Sequence, residues 1–278
     1  MDQANILSIL VTLDKKIPVY VCERIYPAQS SLMILSSNQI IKEFFRLLRN
    51  LVYKKATQII LQSVRMKSYF PTYLHEKMIV IPNPIIAPSS DGTSPHLAAD
   101  SIVPIGRLVE QKRFDLLIKS FASIAAEFPD WHLHIVGKGP LLQQLQEMAS
   151  QTGFQNRIHF LGEQGNVAGI LAQSKIFTLC SDFEGFPVAL GEALYCGLPV
   201  IASDCLTGPQ ELLGLSEHGL LFPPGSDQAL SEKLRLLMLD SQLRSALGAR
   251  AKQRSLQFSL KKITELWLKS FEIINISK

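Results

Sequence analysis

A chain of 278 residues, 47% hydrophobic and 19% charged, can bury a large core and has room for two domains of roughly 100–200 residues each. The formal charge of +4 is too small for a chain that is basic throughout. Its four cysteines, Cys22, Cys180, Cys196 and Cys205, form no C-x-x-C pair and lie mostly in apolar runs, so they suggest neither a cysteine zinc site nor a disulfide framework, and fit reduced core residues of a cytosolic protein.

The first apolar pattern, Asn5 to Leu13, predicts a helix. Its run ILSILVTL is too short to span a bilayer and lacks the basic flank and cleavage site of a signal peptide, so the expected location is the cytoplasm. PVYVC (18–22) predicts a strand. Between 40 and 55 stand Lys42, Arg46, Arg49, Lys54 and Lys55 against one acid, Glu43, so the whole +4 of the chain is concentrated there. Apolar residues at 40, 41, 44, 45, 47, 48, 51 and 52 make this a basic amphipathic helix, which either packs on its own domain or rests peripherally on the anionic inner face of a plasma membrane. Nucleic acid is not expected as a partner, because no base-stacking aromatics interleave these charges and no reading motif follows. QIILQ (58–62) predicts a strand, a short helix runs through Tyr69, and MIVIP (78–82) predicts a third strand.

Residues 83–100, NPIIAPSSDGTSPHLAAD, read as a linker by their Pro, Ser and Gly content. After it, SIVPIG, WHLHIVG, RIHFLG, KIFTLC and PVIAS are short apolar strands separated by helical stretches, among them Lys112 to Phe128 with apolar positions 114, 117, 118, 121 and 125 on one face. Such alternation predicts a doubly wound α/β domain with a parallel sheet. Ligands of these sheets bind beyond the carboxyl ends of the strands. Three exits there carry chemistry. IGRLVEQK places Arg107 and Lys112 on one; HIVGKGP places Gly137 and Gly139 on another, where backbone can approach a ligand. The third is DFEGFPVALGE, which puts Glu184 at a strand exit and Glu192 on the first turns of the next helix, with Pro187 at its first position. The backbone N–H groups of Val188, Ala189 and Leu190 open that helix and suit a phosphate. On spacing alone the two glutamates are an acid near a helix start and a solvated one beyond it. Together with the cations they compose a site for a pyrophosphate and for paired sugar hydroxyls.

On these residues the chain resembles the family 4 glycosyltransferases. The matching pieces are VIPNP (80–84), GRLVEQKRFDLLIKSF, HIVGKGP, RIHFLG, the E-x7-E of EGFPVALGE, EALYCGLPVIASD and GPQELL. The resemblance implies the two-Rossmann GT-B fold, with parallel sheets in both domains. It implies transfer of a hexose, with retention of configuration, from a UDP- or GDP-linked donor to a glycan or lipid-linked acceptor in cell-envelope polysaccharide or glycolipid synthesis. By the same resemblance Arg107 and Lys112 grip the donor pyrophosphate, Glu192 takes the ribose hydroxyls and Glu184 the hydroxyls of the transferred sugar. No metal or other cofactor is implied. PVYVCERIYP resembles a family segment that often ends in an active-site His; Arg24 stands there, making Glu23 and Arg24 cleft candidates beside a plain surface-loop reading. His75, His96, His132, His134, His159 and His218 match no family position.

The expected organisation is a partial, acceptor-side N-terminal domain over 1–95, a nucleotide-sugar-binding domain over 96–257, and a terminal segment over 258–278, FSLKKITELWLKSFE, crossing back to the first domain. The first domain is expected to be incomplete, since the family's opening strand and Gly-Gly loop are not found. Two further readings stay open: a nucleotide-sugar-binding remnant without transfer activity, and a membrane-associated partner subunit.

Overall fold

The computed structural model describes residues 2–15, 17–27, 38–98 and 100–276. It contains two parallel sheets. The first has three strands in the order β1 (Tyr20–Glu23), β2 (Gln58–Leu61), β3 (Met78–Val80). Ile9 of α1 (Asp2–Val11) and Tyr53 of α2 (Gln39–Tyr53) join Val21, Ile59, Leu61, Met66 and Leu74 in its core. The helix expected over 5–13 thus runs from Asp2 to Val11. The helix expected through Tyr69 is a 3-10 segment, Val64–Tyr69, stopped before Pro71, whose fixed φ and missing N–H end it. A second 3-10 segment, Thr72–Lys77, leads into β3.

The basic helix forms as expected, with Asn38 capping its start through its side chain to the N–H of Ile40. Its orientation is the reverse of a packed surface helix. Arg49, Asn50 and Tyr53 are buried, whereas Ile40, Phe44, Leu47 and Leu51 lie in solvent, Ile40 at 79% exposure. The Arg49 guanidinium stands over the rings of Tyr69 and Phe70 at 5.0 and 4.8 Å, so the charge is taken inward by aromatic faces.

The second sheet has six strands: β4 (Asp100–Val103), β5 (Trp131–Val136), β6 (Ile158–Gly162), β7 (Ile176–Leu179), β8 (Val200–Ser203) and β9 (Leu220–Phe222). Their order, β6-β5-β4-β7-β8-β9, reverses direction between β4 and β7. Such a reversal opens a crevice at the carboxyl ends of the two central strands. On one face, α3 (Phe114–Ile124), α4 (Leu142–Gln151) and α8 (Asp227–Leu239) cover Ile102, Leu133, Ile135 and Ile201. On the other, α5 (Val167–Gln173), α6 (Val188–Cys196) and α7 (Pro209–Leu213) cover Val103, Val136, Phe177 and Ala202. Next comes α9 (Ser241–Ser255), which adds Leu247 to the first face and Ala251 to the second.

Two expected boundaries move. The helix predicted from Lys112 begins at Phe114, because Glu110–Lys112 form a 3-10 turn and Arg113 takes a left-handed conformation at φ 49°. Ion pairs from Arg113 to Asp115 (3.1 Å) and Asp182 (3.2 Å) hold that residue. Pro187 stands just before α6, at φ −76°, ψ 98°, and not inside its first turn.

The expected linker does not swing free. The Ala168 amide donates to the Ser89 carbonyl (2.8 Å), Asn166 to the Gly92 carbonyl (2.9 Å) and Gln173 to the Pro95 carbonyl (3.1 Å), laying the segment along α5. At its start the Ile85 amide donates to Phe258 (2.8 Å). Helix α10 (Leu260–Ile276) then returns to the first sheet, where Ile263 and Trp267 pack on Ile60 and Ile81, and Phe271 meets the edge of Tyr20 at 4.9 Å. Of the expected segments 1–95, 96–257 and 258–278, the end residues Met1, Ser277 and Lys278 lie outside the described residues, as does Ala99 near the second boundary.

Candidate functional site

The loop after β4 is fixed to the loop after β5 through the backbone. The Gly106 amide donates to Val136 (3.0 Å), the Leu108 amide to Lys138 (2.9 Å), and the Leu141 amide to Leu108 (3.1 Å). This contact needs Gly137: at φ +138° a Cβ there would lie 1.9 Å from the Gly106 carbonyl oxygen. Arg107, on this braced loop, is exposed and has no ion-pair partner among the described residues. The next cation, Lys112, sits on the 3-10 turn and pairs with Glu184 at 2.5 Å.

Glu184 is buried at the exit of β7. The Ser181 hydroxyl donates to the same carboxylate oxygen at 2.6 Å, and the Thr207 hydroxyl to the Glu184 carbonyl. Gln111 donates to the Phe183 carbonyl at 2.6 Å. The acid is therefore fixed in position, and Lys112, with three donors, keeps two for a ligand. Downstream, α6 opens without a side-chain cap, so the N–H groups of Val188 and Ala189 face the crevice with the positive end of the helix dipole behind them. Glu192, one turn along, is half-buried; desolvation raises its pKa above the ordinary carboxylate value. A carboxylate so placed gains by accepting hydrogen bonds from hydroxyl groups.

Arg107, Lys112, Glu184, Val188, Ala189 and Glu192 line one cavity of about 480 Å³, closed on the far side by Arg24, Gln62 and Asn83 of the first domain. Gln62 donates to Asn83 at 2.6 Å and Arg24 approaches the same oxygen at 3.4 Å. Gly137 and Gly139 line a neighbouring, mainly apolar cavity of about 490 Å³ with Ile105, Lys138, Glu163 and Val167; Arg107 stands between the two. Glu23 does not line the cavity that holds Arg107 and Glu192. It is wholly buried, accepts from the Tyr53 hydroxyl, and lines only a smaller adjoining cavity of about 110 Å³ with Arg24, Gln62 and Asn83, because alternation along β1 turns it inward while Arg24 lies just beyond that strand.

Domain contacts overlooked by the sequence reading frame the crevice. Arg65 pairs with Asp204 at 2.8 Å, Ser63 donates to Glu211, and Gly185 meets the Arg24 carbonyl so closely that a Cβ would stand 1.9 Å from it. Burial raises the thiol pKa of Cys180 and of Cys205, the latter to about 12, as in inert core cysteines. Among the histidines, His132, His134 and His159 come together on β5 and β6, away from the crevice.

The family model for glycosyl transferases group 1 matches residues 99–254, more than half of the chain. The chain belongs to this family. A galactosaminyltransferase of Campylobacter jejuni, acting on GalNAc-alpha-(1->4)-GalNAc-alpha-(1->3)-diNAcBac-PP-undecaprenol, is 27% identical to this group 1 chain over 272 residues, covering 97% of it and 72% of that protein. An exopolysaccharide phosphotransferase of Streptomyces coelicolor is 33% identical over 196 residues, covering 70% of this chain and 21% of that protein. The chain spans less than half the length of three of the curated relatives that it matches. Among solved structures, HepE of Anabaena in complex with UDP superposes with a TM-score of 0.83 at 20% identity, over 98% of this chain and 77% of that one. These neighbours establish the GT-B type of α/β fold for this group 1 glycosyltransferase. Among the described residues no helix is long and apolar enough to cross a membrane.

Proposed function

We propose that this chain provides the donor site of a hexosyltransferase that moves a sugar from a UDP- or GDP-linked donor to a glycan or lipid-linked acceptor in cell-envelope polysaccharide or glycolipid synthesis. The observation that carries the proposal is the convergence of two cations, an open helix N-terminus and two carboxylates on one cavity at the point where the strand order reverses. In this reading Arg107 and Lys112, with the N–H groups of Val188 and Ala189, hold the pyrophosphate. Glu192 accepts from the ribose, and the base enters the apolar cavity beside Gly137 and Gly139. Glu184, held by Lys112 and Ser181, orients the hydroxyls of the sugar. The Campylobacter protein's undecaprenol-linked substrate supports the acceptor class.

Catalysis then consists of neutralising charge as the diphosphate leaves and of holding the acceptor in line. The proposal includes retention, by attack on the face from which the diphosphate departs; that route asks for no enzyme nucleophile. Nor does it call for a divalent ion, since the two cations occupy its place. Arg107→Ala tests the donor reading: it should weaken nucleoside diphosphate binding by about 1.5–3 kcal/mol, the range for a charge-assisted contact, and nucleoside monophosphate binding less. Equal calorimetric affinities in wild type and variant would remove Arg107 from the pyrophosphate.

A second element rests on the reversed α2. Its apolar stripe faces outward with Lys54 and Lys55 exposed beside it, and we propose that this face meets an anionic membrane surface. Liposome binding should rise with anionic lipid and fall with salt, each cation near the surface contributing about 1 kcal/mol. Replacing Arg46, Lys54 and Lys55 by Gln should remove it. Sedimentation indifferent to lipid charge would reject the membrane contact.

A further inference from the structure

Three of the six histidines meet on one patch of the second sheet. His132 and His134 are two apart on β5 and share a face; His159 on the edge strand β6 pairs in register with His134. The alternate β5 residues, Trp131, Leu133 and Ile135, point into the helix-covered core of the other face, so the three imidazoles replace a patch of sheet that apolar side chains would ordinarily cover. The rings lie nearly parallel, His134 to His159 with centroids 4.6 Å apart and His132 to His159 at 5.2 Å. Nδ1 of His132 is 3.0 Å from Nε2 of His159. His134 is 96% buried by its 4% exposure, and neither of its ring nitrogens has a hydrogen-bond partner among the described residues. Two orphaned imidazole nitrogens in a buried position are a costly arrangement unless something else takes the lone pair.

We propose that His132, His134 and His159 form a binding site for a divalent transition-metal ion of the zinc, cobalt or nickel class, a site distinct from the donor crevice. One ring nitrogen from each residue can be chosen so that all three lie within 4.8 Å of one another. Zinc bound at about 2.0–2.1 Å from each nitrogen needs the rings, now nearly parallel, to turn until their three lone pairs point at one centre. Neutral imidazole is the form that binds such an ion. Three imidazoles leave a fourth position open to water. His132 and His159 are half-exposed and give the ion its entry. His132 and His134 lie in the amino-terminal part of β5, upstream of the Gly137 loop, so the ion's role is structural: it ties the edge strand β6 to β5 just below the register shift between Ile135 and Val136.

The test uses the whole chain, stripped with chelator and titrated with Co2+. One equivalent should bind with visible ligand-field absorption, be displaced by Zn2+, and Zn2+ should raise Tm in proportion to the logarithm of its concentration. His132→Gln and His159→Gln should each weaken uptake by more than the roughly 10–100-fold that loss of an outer-shell partner costs. Uptake equal in wild type and the double variant, or no uptake at all, overturns the site. Should the variants fail to fold, the imidazole NMR signals of the wild type decide. Zn2+ is expected to shift three of the six, and shifts at His75, His96 or His218 instead reject the proposal.

Discussion

Lys112→Met should destabilise the protein by about 3 kcal/mol, whereas Lys112→Met combined with Glu184→Gln should recover most of that loss. The Lys112 and Glu184 side chains are 18% and 8% exposed, and their contact is 2.5 Å. Removing one partner of such a pair leaves a buried charge without compensation, at about 3–5 kcal/mol; replacing both with neutral groups of similar volume is often close to neutral. The lower end is expected because Ser181 still donates to the carboxylate. Denaturant melts of the two single variants and the double variant measure the coupling directly, and additive losses would mean that the pair contributes nothing. Donor affinity separates the pair's two roles: in both variants lacking Lys112, nucleoside diphosphate binding should stay weak, by about 1.5–3 kcal/mol, however well stability is recovered.

Gly185→Ala should be more disruptive still, and its effect should be on the arrangement of the domains. The new Cβ would lie 1.9 Å from the Arg24 carbonyl oxygen, a backbone atom that cannot rotate aside, with the Gln62 side chain 3.2 Å away. Overpacking ordinarily costs about 1–3 kcal/mol; a backbone obstacle should bring the loss to at least about 3 kcal/mol, with the two walls of the crevice pushed apart. A displacement of about 1 Å can cost a hundredfold in a positioned reaction, so sugar transfer should fall at least that far in any form of the enzyme that is active. Small-angle scattering and melting of the variant provide the check without an activity assay. An unchanged scattering curve and Tm would show that the Gly185 approach does not set the domain spacing.

How far these features could be read from the sequence depends on how local each one is. The strand exits were legible, because Gly106-Arg107, Gly137-Lys138-Gly139 and Glu184-Gly185-Phe186-Pro187 each follow an apolar run and each open toward the same sheet edge. The late start of α3, after Arg113, was not legible, since that left-handed turn depends on Asp182 from another strand exit. For α2 the pattern gave the residues that share a stripe and left open which face meets the core; the buried Arg49 is stabilised by Tyr69 and Phe70, which lie beyond the next strand. The two-residue spacing of His132 and His134 is visible in the chain, whereas the third partner depends on the register of β5 against β6. Arg24 and Gly185 are brought together only by the packing of one domain on the other.

The return of α10 to the first sheet also orders events in time. Ile60 and Ile81 are made well before Ile263 and Trp267, the side chains that cover them. A ribosome therefore releases the complete second sheet before the first can be closed, and the underside of the first sheet stays bare while the intervening chain is synthesised. Chaperone binding to nascent chains should accordingly concentrate on the strands of residues 20–80 and end when α10 emerges, so a nascent chain that has emerged only as far as Ser259 would hold a folded second domain and an unfinished first one.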